Sequence, residues 1–245
     1  MNNGVIITGA NRGIGRKMVA GFAEEGYRVI WACARKRDEA FEQQMAELSD
    51  QYHCKIIPVY FELTNEKEIM DAVKMIRSEK EDIDALVNVA GVVNTDLFYM
   101  TSMSKLREVF EVNFFGTVYF TQLVLKLMLR KKKGSIVNIA SIAGIDANPT
   151  NSAYGSSKAA LISLSRILAS EVGEQGIRVN VIAPGPTETD MVKKVKEVVG
   201  DNILNNCAMN RIAQPEEIVN VAVFLASEKA SFVNGQVIRV DGGSK

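Results

Sequence analysis

Histidine is the scarcest chemistry-bearing residue here: His53 stands alone among 245 residues. That argues against a catalytic triad built on imidazole and against a multi-histidine metal site. His53 sits in a polar turn, "DQYHCK", and reads as a surface residue. Cysteine is also scarce. Cys33, Cys54 and Cys207 are an odd, scattered set without metal-ligand spacing. They point to a reducing compartment and away from a disulfide framework, and no metal is expected. Neither sign of charge is in excess, with 29 Lys plus Arg and 29 Asp plus Glu. Such a balance gives no general pull toward nucleic acid or an anionic membrane. No apolar run approaches the roughly 20 residues that span a bilayer. No basic segment leads into a long apolar one at the start, so no signal peptide is expected. These shortages leave a cytoplasmic enzyme or binding protein as the expectation.

Apolar residues make up 47% of the chain, enough for one sizeable core. They are distributed as short runs alternating with longer amphipathic ones. The runs are "VIIT" (5–8), "RVIWACA" (28–34), "KIIPVYF" (55–61), "DALVNVA" (84–90), "SIVNIAS" (135–141), "IRVNVIA" (177–183) and "QVIRV" (236–240). Helical spacing follows at 13–25, 38–49, 65–79, 102–131, 152–172 and 215–227. Strands apolar on both faces and separated by helices form a parallel sheet. The expectation is one α/β domain over 1–245. It is a Rossmann fold with a doubly wound, seven-stranded parallel sheet and helices on both faces. Trp31, inside the second strand, reads as core. Asn65 with Glu68 reads as a capping box, and Pro215 opens the last helix.

"VIITGANRGIG" (5–15) is a strand, a glycine turn and a helix start. Gly9, Gly13 and Gly15 leave room for a tight turn and for a pyrophosphate at the helix N-terminus. In that context the loop reads as a dinucleotide cradle, with Thr8, Asn11, Arg12 and Ile14 as its other members. The second strand ends in "ACARKR", with no acid before Asp38 to hold a ribose 2′-hydroxyl. Arg12 and Arg35 suit a 2′-phosphate instead, so NADP is the expected cofactor.

The stretch "SAYGSSKAAL" (152–161) puts Tyr154 and Lys158 on one helix face. A free phenol has a pKa near about 10, and a nearby cation lowers it. Such a pair can deliver a proton to the oxygen of a carbonyl whose carbon accepts hydride from a nicotinamide. Ser141 ends the fifth strand, where open α/β sheets bind ligands, and can donate to the same oxygen. Ser156 and Ser157 read as packing or hydrating the helix.

Together these residues resemble the short-chain dehydrogenase/reductase family along essentially the whole chain. Thr8, Gly9, Gly13 and Gly15 match its T-G-x-x-x-G-x-G signature. "NVAG" matches its N-N-A-G through Asn88, Ala90 and Gly91, with Val89 in place of the second Asn. "PGPTET" supplies Pro184, Gly185, Thr187 and Thr189, and "VNGQVIRVDGG" closes the match; the resemblance implies that Asn88, Ala90, Gly91 and these four residues contact the cofactor. The resemblance implies a catalytic set of Ser141, Tyr154 and Lys158. Asn113 in "EVNFFGT" would complete a proton relay through water. It implies that Tyr154 and Lys158 also contact the cofactor, Lys158 through the nicotinamide ribose. Glu62 stands where the family has an Asp beside the adenine, with Leu63 next to it. The resemblance also implies a substrate lid at about 187–212.

"IAPGPTETDM", "NRIAQPEEIVNVAVFLASEKASFVNGQ" and "VDGG" look closest to the 3-oxoacyl-[acyl-carrier-protein] reductases. That implies a 3-oxoacyl thioester substrate, and an acidic acyl carrier protein docking on basic residues such as Arg16, Lys17 and Arg130 to Lys133. Basic residues at a helix C-terminus also complement its dipole. The same pattern serves reductases of sugars, polyols or other small ketones, including those of polysaccharide pathways. A non-catalytic NADP-binding sensor predicts the loss of a catalytic position, and none is missing. Leu123, Val124 and Leu127 suggest an apolar stripe for a subunit contact, and the family implies a homotetramer.

Overall fold

The computed structural model describes residues 3–147, 149–193 and 207–244. Three of its strands are buried along their whole length: β1 (Gly4–Thr8), β2 (Val29–Ala34) and β5 (Gly134–Ile139). This is why their sequences read as unbroken apolar runs. The others are β3 (Lys55–Tyr60), β4 (Ile83–Asn88), β6 (Ile177–Pro184) and β7 (Val237–Val240). All seven pair in parallel, in the order β3-β2-β1-β4-β5-β6-β7. The expected doubly wound Rossmann sheet is therefore present. Its winding reverses between β1 and β4, and the crevice beyond their carboxyl ends is where such sheets bind ligands.

Helices cover both faces. On one side α1 (Gly13–Glu24), α2 (Glu39–Tyr52) and a late helix, Pro215–Ala226, pack Met18, Phe22, Phe41 and Leu225 against Ile7 and Ile30. On the other, α3 (Glu66–Ser78), α5 (Thr117–Lys131) and α6 (Ser152–Val172) pack Ile69, Phe120, Val124 and Val172 against Ile6, Trp31 and Ile136. The late helix is α7; α4 (Met103–Phe110) precedes α5. Burying each large side chain contributes roughly 1.5–3 kcal/mol, so each core fixes its helices firmly. Trp31 is fully buried, as read from the sequence. His53 ends α2 in the left-handed conformation (φ 53°) and is exposed.

Side-chain caps fix several helix starts. Asp38 caps α2, Asn65 caps α3 and Ser102 caps α4. Glu68 departs from the expected box, accepting from the Glu62 N–H (2.8 Å) and from the Asn65 side chain. Pro215 opens α7, where Glu217 accepts from the Gln214 N–H at 2.8 Å.

The pattern over 102–131 predicts one helix, but the structure breaks its regularity. A π turn, Glu111–Gly116, separates α4 from α5. Gly116 is pressed against the Leu63 carbonyl, and Thr117 Oγ1 bonds the Val112 carbonyl at 3.1 Å. The stretch Met103–Lys131 is long and apolar enough, by length and composition, to cross a bilayer, which departs from the expectation that no apolar run approaches that length. Here its inner face, with Phe120, Val124 and Met128, lies in the second core. Of the expected apolar stripe, Val124 is fully buried in the second core, while Leu123 and Leu127 pack against that core and are only partly buried. Large apolar side chains are exposed upstream, at Phe98, Tyr99, Met100 and Met103, and also at Phe115 of the π turn and Ile167 of α6.

Candidate active site

A cleft of about 1070 Å³ opens at the carboxyl ends of β1 and β4. Its first wall is the glycine turn. Gly9 (φ 68°) and Gly13 (φ 52°) adopt left-handed backbone that disfavours other residues. A Cβ on Gly9 would lie 2.9 Å from Ala90 Cα, and one on Gly15 would overlap the Gly9 carbonyl. Arg12 occupies the N-cap of α1 without a side-chain hydrogen bond, and the first turn carries no acid. The helix N-terminus therefore presents free N–H groups and its positive end to the cleft, a setting for phosphate. Thr8 Oγ1 accepts from the N–H groups of Val89 (3.0 Å) and Ala90 (3.2 Å), tying β1 to the loop after β4.

Arg12 and Arg35 stand on the rim of this half. Arg35 Nε lies 3.7 Å from Glu62 Oε2. The Asp38 carboxylate accepts from the Phe41 N–H (3.2 Å), so its part is to cap α2. Every residue predicted to bind the cofactor lines the cleft except Asn88. Asn88 shares the face of Leu86, toward α5. It donates to Thr121 Oγ1 (2.9 Å) and to Asn138 Oδ1 (2.8 Å), and Asn138 donates to Ser165 of α6 (2.8 Å). Asn88 stitches the sheet to its helices, a role that the "NVAG" match does not reveal.

The second wall carries Ser141, Tyr154 and Lys158. Ser141 follows β5 and caps a short 3-10 turn over residues 142–144, its Oγ accepting from the Ala143 N–H at 3.1 Å. Tyr154 and Lys158 lie one turn apart on α6, with Lys158 Nζ 5.9 Å from the phenol ring centre. Lys158 is buried, and Nζ donates to the Ile139 carbonyl at 2.9 Å. Burial pushes its pKa down to about 8. Burial also raises Tyr154 above the ordinary phenol, and a hydrogen bond from Ser141 opposes that rise. Lys158 was expected to lower the phenol; without cofactor the net shift is upward, desolvation being the larger influence and the Ser141 hydrogen bond the opposing one.

Two glycines missed in the sequence bring these walls together. A Cβ on Gly144 would lie 2.8 Å from the Ala159 nitrogen, and one on Gly155 would lie 2.5 Å from the Ala143 carbonyl. The Ser141 turn can thus lie flat on α6. The clue was Gly155 itself, since glycine inside a helix costs roughly 1 kcal/mol without a packing reason.

Asn113 sits in the π turn, fully buried and outside the cleft lining. Its Oδ1 accepts from the Val92 N–H (2.8 Å), and its Nδ2 donates to the Val92 carbonyl (2.9 Å) and Ser157 Oγ (3.0 Å). Ser157 in turn donates to the Tyr154 carbonyl at 2.7 Å. Asn113 is joined to the Tyr154 helix through Ser157. Of the expected lid, residues 194–206 lie outside the described residues, including most of "VKKVKEVV". Its described start reaches the glycine turn: Thr189 Cγ2 would sit 3.3 Å from a Cβ on Gly13.

Comparison with known proteins agrees with this geometry. A family model described as Enoyl-(Acyl carrier protein) reductase matches residues 9–245. The 3-oxoacyl-[acyl-carrier-protein] reductase FabG of Thermotoga maritima is 35% identical over 238 residues, covering 97% of this chain and 96% of its own. The chain belongs to the short-chain dehydrogenase/reductase family. A 3alpha-hydroxysteroid dehydrogenase of Mediterraneibacter gnavus is 33% identical over 246 residues, covering 100% of this chain and 97% of its own. A solved structure, "ElxO with NADP Bound", superposes with a TM-score of 0.89 at 30% identity, covering 99% and 98% of the two chains.

This short-chain dehydrogenase/reductase is an oxidoreductase acting on CH–OH and C=O groups with a nicotinamide cofactor. The residues present fit such a dinucleotide, because Gly9 and Gly15 let the turn close against Ala90 and onto itself, and the N-terminus of α1, with no acid in its first turn, lies on the cleft. The remaining cleft walls are largely apolar, with Val92, Val93, Ile142, Pro149 and Met191 facing it. None of these came from motif reading. They lie on loops, where side-chain identity rather than spacing decides the surface.

Proposed function

We propose that this protein is an NADP-dependent ketoreductase of 3-oxoacyl thioesters. The observation that carries the reading is the Ser141–Tyr154–Lys158 set on a cleft whose opposite rim bears Arg12 and Arg35. The nearest acid after β2 is engaged as a helix cap, which favours a 2′-phosphate over a ribose hydroxyl at that rim. When bound, the nicotinamide supplies the hydride. Tyr154 donates the proton to the carbonyl oxygen, and the Ser141 hydroxyl hydrogen-bonds that oxygen as negative charge develops. Lys158 holds the ribose and, as an ammonium, stabilises the tyrosinate left behind. Asn113 joins Lys158 in the water relay that restores the proton. The catalytic and cofactor sites form one unit over 1–245, with 187–212 as its lid. It works in the cytoplasm as a homotetramer, assembled through the exposed apolar face at Phe98, Tyr99 and Met103.

A second reading is reduction of a free sugar, polyol or other small ketone. It is favoured by the basic run expected to dock a carrier. Lys131 is paired with Asp82 (2.9 Å), Lys133 with Glu228 (3.4 Å) and Lys17 with Glu216 (2.7 Å), leaving less free charge for an acidic partner. The deciding experiment is NADPH oxidation with acetoacetyl thioesters, free and on an acyl carrier protein, beside a panel of sugar and small ketones. Turnover confined to the thioesters supports the first reading. Turnover of the free ketones alone supports the second, and none at all favours a sensor.

A further inference from the structure

Arg239 and Asp146 are drawn together by the fold from opposite sides of the substrate half, and the catalytic roles above use neither. Arg239 lies on β7, beside Ala183 of β6. Its Nη1 and Nη2 donate to the two Asp146 carboxylate oxygens, each at 2.8 Å. Its Nε donates to Asp241 Oδ2 (2.7 Å), and Nη2 also reaches the Ser244 carbonyl (3.1 Å). A two-point fork fixes direction as well as distance, which a single contact does not.

Asp146 ends the turn that begins at Ser141. The amides of Gly144 (3.0 Å), Ile145 (2.8 Å) and Asp146 (2.7 Å) all bond back into that turn, onto Ser141 and Ile142. On its other side the turn rests on α6 through Gly144. The turn is thus held between α6 and the Arg239 fork. The same guanidinium holds the C-terminal tail, onto which the returning end of the lid docks. There the Met209 N–H donates to the Gly242 carbonyl at 3.0 Å and Cys207 Sγ to the Asp241 carbonyl at 3.5 Å.

We propose that Arg239 is a positioning residue. Through Asp146 it holds the Ser141 turn in register with Tyr154, and through the tail it fixes the substrate side of the cleft. The proposal rests on the reading of Tyr154 and Ser141 as the proton-delivery pair. Misplacing a catalytic group by about 1 Å can cost up to about a hundredfold, so loosening this turn should be visible in turnover.

The test compares Arg239→Met, Arg239→Lys and Asp146→Asn in the full chain by two measurements. The first is amide hydrogen exchange of the peptide covering 141–146 in the protein without cofactor. Exchange should rise in Arg239→Met and Asp146→Asn and recover in part in Arg239→Lys, while the glycine turn stays unchanged. The second is steady-state kinetics: kcat should fall roughly tenfold in Arg239→Met, with KM for NADPH unchanged and partial rescue by Arg239→Lys. Unchanged exchange overturns the clamp. Raised exchange with unchanged kcat overturns the positioning role. If Arg239→Met does not fold, the near-isosteric Asp146→Asn decides both points. If the wild type reduces no carbonyl, the functional reading fails on its own, and the exchange result still decides the clamp.

Discussion

The two halves of the cleft are built from different materials. The cofactor half is backbone: glycines at three fixed positions, the free amides of α1, and Thr8 tying two loops together. The opposite half is side chains and loops: Ser141 on a short turn, Asp146 forked by Arg239, and a tail that receives Cys207. A backbone site needs side chains to be absent, and absence at fixed spacing leaves a local mark in the sequence. The clamp joins residues 93 positions apart. Nothing local marks either of them, so only the folded chain reveals it.

The largest expected effect falls on the chemistry and spares the cofactor half. Tyr154→Phe should lower kcat by roughly a thousandfold or more, while NADPH affinity, read by fluorescence titration, stays at the wild-type value. Substantial remaining turnover would remove Tyr154 from the role of acid. The converse break is Gly15→Ala, whose Cβ would overlap the Gly9 carbonyl. Overpacking of that kind costs about 1–3 kcal/mol, so NADPH binding should weaken roughly 10- to 100-fold. The Ser141 turn should exchange its amides as before. Wild-type affinity would mean that the glycine turn is not the phosphate cradle. Next in size is Arg35→Ala. Losing a charge-assisted bond to phosphate should raise KM for NADPH roughly tenfold and leave NADH untouched. Equal effects on both nucleotides would show that Arg35 does not read the 2′-phosphate.

How legible each half was follows from these materials. The strand runs gave the sheet, because β1, β2 and β5 are buried on both faces and could carry only apolar residues. The Tyr154–Lys158 pair was legible because helix geometry converts a separation of four into one shared face, and Ser141 because it ends a strand and matches the family's spacing. Asn88 was misread as facing the cofactor. Strand alternation puts it on the face of Leu86, toward α5, a conclusion available from period two but hidden by the motif. The π turn was illegible because no proline or glycine pair marks it. Its causes are tertiary, in Gly116 against Leu63 and Asn113 against Val92.

Lys158 sits where the halves meet, and its burial has a pH signature. Its folded pKa of about 8 lies below the ordinary 10.5. As pH rises from 8 toward 10.5, the folded chain has already released the proton while the unfolded chain still binds it. Stability contributed by this group therefore increases with pH across that window and is lowest below it. Thermal unfolding of wild type and Lys158→Met without cofactor should show the wild type gaining on the variant over that range. A constant difference between the two would mean that the ammonium is not desolvated.

The smallest effect sharpens the comparison most, because it asks whether the cofactor half contains any side-chain tuning at all. Glu62 lies 3.7 Å from Arg35, whose side chain is exposed while that of Glu62 is half-buried. A largely solvated pair of this kind is worth only about 0–1 kcal/mol, but under the proposed reading it would compete for the guanidinium that a 2′-phosphate needs. Glu62→Gln keeps the shape and removes the competitor. KM for NADPH should then fall by about two- to threefold, with KM for NADH unchanged. If Glu62 acted instead by holding the adenine, the substitution would weaken NADPH and NADH together. The direction of one small change therefore separates a residue that restrains the phosphate-reading arginine from one that holds the base.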